Sequence, residues 1–436
     1  MHHVIKKGMI LMNKIATGLL SFIHTSTSPF HTVNTGTAML AAAGFTELSP
    51  HMPWTITTGG TYYIRLYDST LLAFTIGKSP LHNLRIAAAH TDSPCLRIKP
   101  LSHMITEDYL KLNVEVYGGL IRESWLDRPL SFAGKIIVKG KNIFQPTVQF
   151  IDYKTPFCII PRLAIHLNRQ TNDGVIQNPQ LHLLPLYGLK ITETESFLSF
   201  LAAYIDVPKE EILSYDLSLY PTEEGCLLGL HNELLSAPRL DNLTSSYGCL
   251  MGLIESKASD GIHVAILFDN EEVGNRTKQG AASTAIPHLL KQIYHYLGYT
   301  HENYLHALHS GFLLSVDVAH AVHPNLPEKH DPTHRPLLGK GPALKTACSQ
   351  AYVGDAEALA IIRGLCQKYQ IPYQYFVNRN DIPGGSTLGS ALSTTLSIRG
   401  MDIGIPILSM HSAREVMSLE DQCLLQQLLI AFFSEP

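Results

Sequence analysis

Cysteine is sparse in this chain. Seven residues (Cys95, Cys158, Cys226, Cys249, Cys348, Cys366 and Cys423) are spread over 436 positions, with no C-x-x-C pair. That spacing excludes a disulfide-stapled small module and a thiolate zinc site. No apolar run reaches ~18 residues, so no segment reads as membrane-spanning. The first residues, MHHVIKKGMILMNKIATGLLSFI, are interrupted by Asn13 and Lys14 and lack a small-x-small cleavage site, which argues against a signal peptide. These features point to the reducing cytoplasm. An excess of one charge is also missing. Lys and Arg total 33 against 37 Asp and Glu, a net charge of −4 with no long basic block, which excludes nucleic acid as the main partner. Low-complexity tracts and heptads are absent as well, so neither disorder nor a coiled coil organises the chain. What remains is a chain that is 45% hydrophobic and long enough for two domains.

Apolar spacing over residues 12–46 predicts two short helices, separated by STSPFHTV and its Pro29. A strand over NLRIAAA (83–89) stops at His90-Thr91-Asp92-Ser93-Pro94. After Pro100 the texture changes: KLNVEVYGG, SFAGKIIVKG and TVQFID are short, β-branched and punctuated by Gly or Pro. One helix-like stretch, ITETESFLSFLAAYI, interrupts them. Beyond residue 230, IHVAILFDN, GFLLSVDVAH, YQYFVN and IGIPILSM are apolar runs followed by polar turns and helical patterns, which predicts a mainly parallel sheet covered by helices. The expected architecture is an α/β domain from residues 1–95 and 231–436, a mainly parallel mixed sheet flanked by helices. A β-rich domain, 96–230, is inserted into it.

Ligands of open α/β sheets collect beyond the carboxyl ends of the strands. Here those ends carry one residue type: His90 and Asp92, Asp241 in SAPRLDNL, Glu271 and Glu272 after IHVAILFDN, Asp317 after GFLLSV, and His411 after IGIPILSM. Imidazole and carboxylate without thiolate suit Zn²⁺, with Mn²⁺ or Co²⁺ as alternatives, in a catalytic site. The number of ligands predicts two ions. Asp241 would bridge them, with His90 and Asp317 completing one site and Glu272 and His411 the other. Asp92 would accept the distal N–H of His90 and orient it. Glu271, beside a ligand but pointing elsewhere, would take a proton from the attacking water. Each residue also has a plain structural reading: Asp317 as a helix N-cap, the Glu pair as a solvated face, His-x-Asp as a turn. Only their joint placement at strand ends is left unexplained by those readings.

In order along the chain, AAAHTDSPCLRIKP, VEVYGG with WLDRPLS, PRLAIHLNR, RLDNL, FDNEEVGNRTKQGAAS, SVDVAHAVHPN, NDIPGGSTLG and DIGIPILSMHSAREV resemble signatures of the aspartyl aminopeptidase family. These are two-zinc metallo-aminopeptidases that include the yeast vacuolar aminopeptidase. The resemblance starts near residue 16, which points to Met12 as an initiator. It implies hydrolysis of the N-terminal residue, Asp or Glu, from peptides with a free amino terminus. His90, Asp241, Glu272, Asp317 and His411 match the family's metal ligands, and Asp92 and Glu271 its catalytic carboxylates. The resemblance further implies substrate contacts at His166, His320, Lys345 and Tyr352. It implies that the inserted domain pairs subunits, that His166 reaches the neighbour's site, and that dimers assemble into a tetrahedral dodecamer. The chain departs from the family where LKTACSQAY (344–352) lacks two asparagines and an arginine, and where Pro383-Gly384-Gly385 replaces Pro-Cys-Gly. An N-acyl amino acid deacylase using the same two-metal chemistry and a non-catalytic shell protein are the alternative readings.

Overall fold

Every residue of Ile262–Phe268 is buried, as a strand covered on both faces requires. The computed structural model describes residues 2–174, 176–192, 196–257 and 260–436, with side chains from residue 12 onward. The chain divides into two compact units. The first comprises residues 1–92, 225–410 and 415–436, the second 93–224 with 411–414.

The first unit is built on a nine-stranded mixed sheet. Its order is Thr46–Glu47, Thr61–Leu66, Thr70–Ile76, Ile262–Phe268, Arg85–His90, Phe312–Val316, Gly400–Gly404, Ala343–Lys345 and Gln374–Phe376. The four strands from Ile262–Phe268 to Gly400–Gly404 run parallel. Alternate side chains therefore enter two separate cores. Ala87 and Ala89 join Leu243, Leu250 and Leu429 on one face; Ile86 and Ala88 join Leu290, Leu313 and Leu392 on the other. Small alanines in the central strand let the buried helix Leu240–Glu255 pack closely. A Cβ on Gly252 would lie 2.6 Å from Leu429 Cβ, so this position permits the same helix to cross Leu419–Ser434 tightly. A second, five-stranded sheet (Cys226–Leu228, Leu234–Ala237, Glu415–Ser418, Pro406–Leu408, Ala319–His320) completes the unit.

The second unit is an antiparallel six-stranded sheet in the order Gln145–Asp152, Leu130–Asn142, Ile212–Pro221, Cys95–Thr106, Tyr109–Tyr117 and Leu186–Leu189. Its core centres on buried Phe132, stacked on Tyr153 at 5.2 Å and edge-on to Phe197 at 5.5 Å.

Some elements differ from expectation. The first helix is long, His2–Thr25, and the second, Pro29–Ala42, starts at Ser28, whose hydroxyl accepts from His31 N–H. The helix expected over 191–205 is restricted to Phe197–Tyr204, because the Ser196 hydroxyl caps it; residues 193–195 lie outside the described set. GFLLSVDVAH and IGIPILSM are each two strands in two different sheets.

Burial also sets a pH response. His263 is 2% exposed and its ring stacks on Phe433 at 5.8 Å. Burial, helped by nearby Arg85, pushes its pKa down to about 4. Above pH ~6.5 the ring is neutral in both folded and unfolded chains. Below that, only the unfolded chain takes the proton, so stability is lost as pH falls from ~6.5 towards ~4. Between pH 7 and pH 4.5 the metal-free protein should lose about 2–3 kcal/mol through this group. Urea unfolding of His263→Leu should lack that component; an unchanged pH slope would contradict it.

Candidate metal centre

Three of the carboxyl-end residues converge. One donor atom each from His90, Asp241 and Glu272 lies within 4.8 Å of the other two. His90 ends the strand Arg85–His90, and Ser246 donates to its carbonyl at 2.6 Å. Its Nδ1 donates to the Asp92 carbonyl at 3.0 Å, which directs Nε2 towards Asp241 Oδ1 (3.4 Å) and Asp317 Oδ1 (3.8 Å). The strand stops at His90, so a turn rather than an extended segment brings the Asp92 carboxylate to 3.4 Å from Nδ1.

Asp241 sits in a break at the start of the helix Leu240–Glu255. Arg239 is left-handed, Asp241 and Asn242 are non-helical, and the peptide between these last two is cis. Two side chains hold the break: Glu415 accepts from Asp241 N–H at 3.0 Å, and Asn242 donates to Val316 O at 2.9 Å. Neither Glu415 nor Asn242 announces itself in the sequence. Asp317 follows the strand Phe312–Val316, and its N–H bonds to Ile403 O at 2.9 Å. A Cβ on Gly404 would come 1.5 Å from Asp317 O, so only glycine permits that approach.

Glu271 and Glu272 occupy a 3-10 turn, Glu271–Val273, instead of extended chain. The turn follows Asn270 in the left-handed region, and Asp92 fixes it. Asp92 Oδ1 accepts from Glu271 N–H (3.2 Å) and Oδ2 from Glu272 N–H (3.1 Å). The same carboxylate thus faces His90 and sets the backbone of both glutamates. Main-chain donors carry no residue identity, which is why this second task was not legible.

The electrostatics reflect crowded carboxylates. Burial pushes the Glu271 carboxyl up to about 8; His90 opposes this, and Asp317, Asp92 and Asp241 add to it. Burial and then Asp241 hold Glu272 well above the carboxylate range. Burial works against a charged His90, but Asp241, Asp317 and Asp92 outweigh it and hold the imidazole well above its usual value. Anionic oxygens around one imidazole in a desolvated space favour a divalent cation, which would neutralise the mutual repulsion. The donor set, imidazole and carboxylate without thiol, fits zinc.

His320, Lys345 and Tyr352 gather around Phe376. The His320 and Tyr352 rings lie 6.1 Å and 6.0 Å from the Phe376 ring. Lys345 is 2% exposed; its Nζ donates to Val318 O at 3.1 Å and sits 5.0 Å over the Tyr352 ring. Burial works against its charge, but Asp317 and Asp402 outweigh it and keep the pKa above the ordinary lysine value. Asp402 is the cross-strand partner of Lys345 and holds Val353 N–H (2.5 Å) and the Thr387 hydroxyl (2.8 Å).

His411 and His166 belong to the second unit. His411 has φ +67° and donates from Nδ1 to Gly119 O at 3.1 Å. His166 is exposed in a turn beside exposed Leu163, Ile165 and Leu167.

Comparison with known proteins bears on the whole chain. Residues 22–433 match the family model described as Aminopeptidase I zinc metalloprotease (M18). A curated protein from Clostridium novyi (strain NT), named "Probable M18 family aminopeptidase 2", is 45% identical over 414 residues, 94% of this chain and 96% of that one. Among solved structures, a cryo-EM structure of the Ape4 and Nbr1 complex covers 97% of this chain and 86% of its own. It aligns with a TM-score of 0.92 at 32% identity. The S. cerevisiae mApe1 dodecamer aligns with a TM-score of 0.80 at 26% identity, covering 96% of each chain.

Proposed function

The chain belongs to the M18 family of zinc metalloprotease aminopeptidases, and on that premise we propose how its own residues remove the N-terminal residue of a peptide. Two divalent cations would be held per subunit, zinc first, with manganese or cobalt also suited to these donors. His90 and Asp317 would complete one site, Glu272 and His411 the other, and Asp241 would be shared. The observation that carries this reading is the convergence of His90, Asp241 and Glu272, with Glu271 pinned alongside by Asp92. When bound, the ions supply Lewis acidity towards the scissile carbonyl and lower the pKa of water to about 7.

The remaining steps belong to side chains. Glu271 accepts the proton of the attacking water as the new C–O bond forms. It returns a proton to the amide nitrogen as the C–N bond breaks, leaving a free amino acid and a shortened peptide. Asp92 keeps His90 in the tautomer that presents Nε2 and keeps Glu271 aimed. His320, exposed beside Phe376, donates to the developing oxyanion.

The preference is for N-terminal Asp or Glu. Lys345 is a buried ammonium with one side-chain hydrogen bond and, among the described residues, no ion pair within 4.0 Å. A buried cation in that state favours a carboxylate partner. With Asp-, Glu- and Leu-p-nitroanilides, Lys345→Met should lose on the order of 10²–10³-fold in kcat/KM on the acidic substrates and little on Leu. A wild-type enzyme that prefers Leu would overturn the assignment.

The second unit pairs subunits, and His166 extends to the neighbour's site, in a tetrahedral dodecamer whose catalytic sites face inward. Exposed Leu163, Ile165 and Leu167 beside His166 support an interface there, and the related yeast protein is a dodecamer. We place the protein in the cytoplasm, where the seven unbridged cysteines would stay reduced. No described helix is long and apolar enough to cross a membrane.

A further inference from the structure

The strands leading to His90 and Asp317 begin at another cavity. Arg85 opens the first and Phe312 the second, so about five residues at ~3.3 Å each separate this cavity from the metal centre. The cavity is about 240 Å³. Its floor is apolar, with Phe312, Ile362, Leu365 and Phe432 all buried, and Arg85, Arg399, Lys368 and Glu435 surround its mouth.

The charges at the mouth are unequally matched. Arg399 pairs with Glu357 at 2.5 Å, and Lys368 with Glu435 at 2.6 Å; Tyr369 OH donates to the other oxygen of Glu435 at 2.8 Å. Arg85 is partly buried, donates to Asn83 Oδ1 at 3.4 Å and, among the described residues, forms no ion pair. Burial and then the neighbouring Arg399 disfavour its charge and outweigh Glu435, which favours it. This partly desolvated guanidinium faces a second cation above a hydrocarbon floor, and the carboxylate that acts on it, Glu435, is already held by Lys368 and Tyr369.

We propose that this cleft binds a small apolar carboxylate, its anionic end on Arg85 with help from Arg399 and its hydrocarbon on the floor. The fork of one guanidinium matches a carboxylate in two-point fashion, whereas Glu435 in the lining and Glu357 on Arg399 disfavour a multiply charged anion. The volume lies below the ~300–1,000 Å³ of sites for drug-sized molecules, which limits the occupant to a short chain. Gly364 lines the cleft in the helix Ala356–Lys368, and a Cβ there meets nothing within 4 Å. A large side chain at 364 is therefore accommodated at the cleft lining, where it should obstruct an occupant, and the change from glycine favours the helix.

The probe is hexanoate, titrated calorimetrically into metal-loaded enzyme. The expected result is saturable binding with a Kd on the order of 1 mM, weakened at least ~10-fold by Arg85→Gln or by Gly364→Phe. Hexylamine should not bind, and Gly364→Phe should retain peptidase kcat/KM. If Arg85→Gln does not fold, Gly364→Phe alone decides. No saturable binding, or binding that Gly364→Phe leaves unchanged and that competes with peptide at the metal centre, overturns the proposal.

Discussion

Replacing Glu271 with Gln should lower kcat by about 10²–10⁴-fold, the span expected when a general base is lost, with KM and bound metal near wild type. Glutamine keeps the shape of the side chain and both backbone hydrogen bonds that Asp92 makes to the turn, at 3.2 and 3.1 Å. What it loses is the capacity to accept and return a proton. Because Glu272 is the adjacent residue proposed as a ligand, a change that disturbed the turn would release metal. Metal content is therefore the control that separates chemistry from architecture. Steady-state kinetics with elemental analysis reads both, and turnover within ~3-fold of wild type would exclude Glu271 as the base.

Asp241→Asn should be more damaging: a fall of at least ~10³ in kcat/KM, with bound metal dropping from two ions to one or none per chain. The fold should survive, because the 241 backbone N–H still donates to Glu415 (3.0 Å) and Asn242 still holds Val316 O (2.9 Å). An amide in place of the carboxylate proposed as shared removes one negative charge and leaves a weak oxygen donor, so neither ion would be fully held. An unchanged thermal midpoint of the metal-free variant would show that the loss is of ligation and not of structure. An Asp241→Asn enzyme that keeps two ions and full activity would contradict a bridging aspartate.

How much of this was legible in the sequence varied with the physical signal. Long, uniformly apolar runs such as Ile262–Phe268 declared themselves, whereas Pro29, read as part of the loop STSPFHTV, instead starts the second helix. The hairpin Thr61–Leu66 with Thr70–Ile76 and the small five-stranded sheet did not; several strands of the latter are only two to four residues long, too short to show a period. Runs that hydrophobicity presents as single strands split where the chain changes sheets, at Asp317-Val318 and at Ile405, because burial is the same on either side.

The candidate site followed the same rule. Residue types at strand ends pointed to His90, Asp241 and Glu272, which do converge. The geometry that makes them converge was hidden, because it resides in main-chain groups: the two N–H donors gripped by Asp92, and the 241 N–H gripped by Glu415. Lys345 shows the opposite case. Its residue type suggests a surface lysine, and only the family resemblance separated it from the other cations; burial between Val318 and Tyr352 gives the physical reason.

The most direct test of the central claim is metal stoichiometry combined with activity. The purified protein should carry two divalent ions per chain. Dialysis against a chelator should remove both together with peptidase activity, and zinc should restore both. A single ion per chain at full activity, or turnover that survives complete removal of metal, would contradict a paired centre built around Asp241.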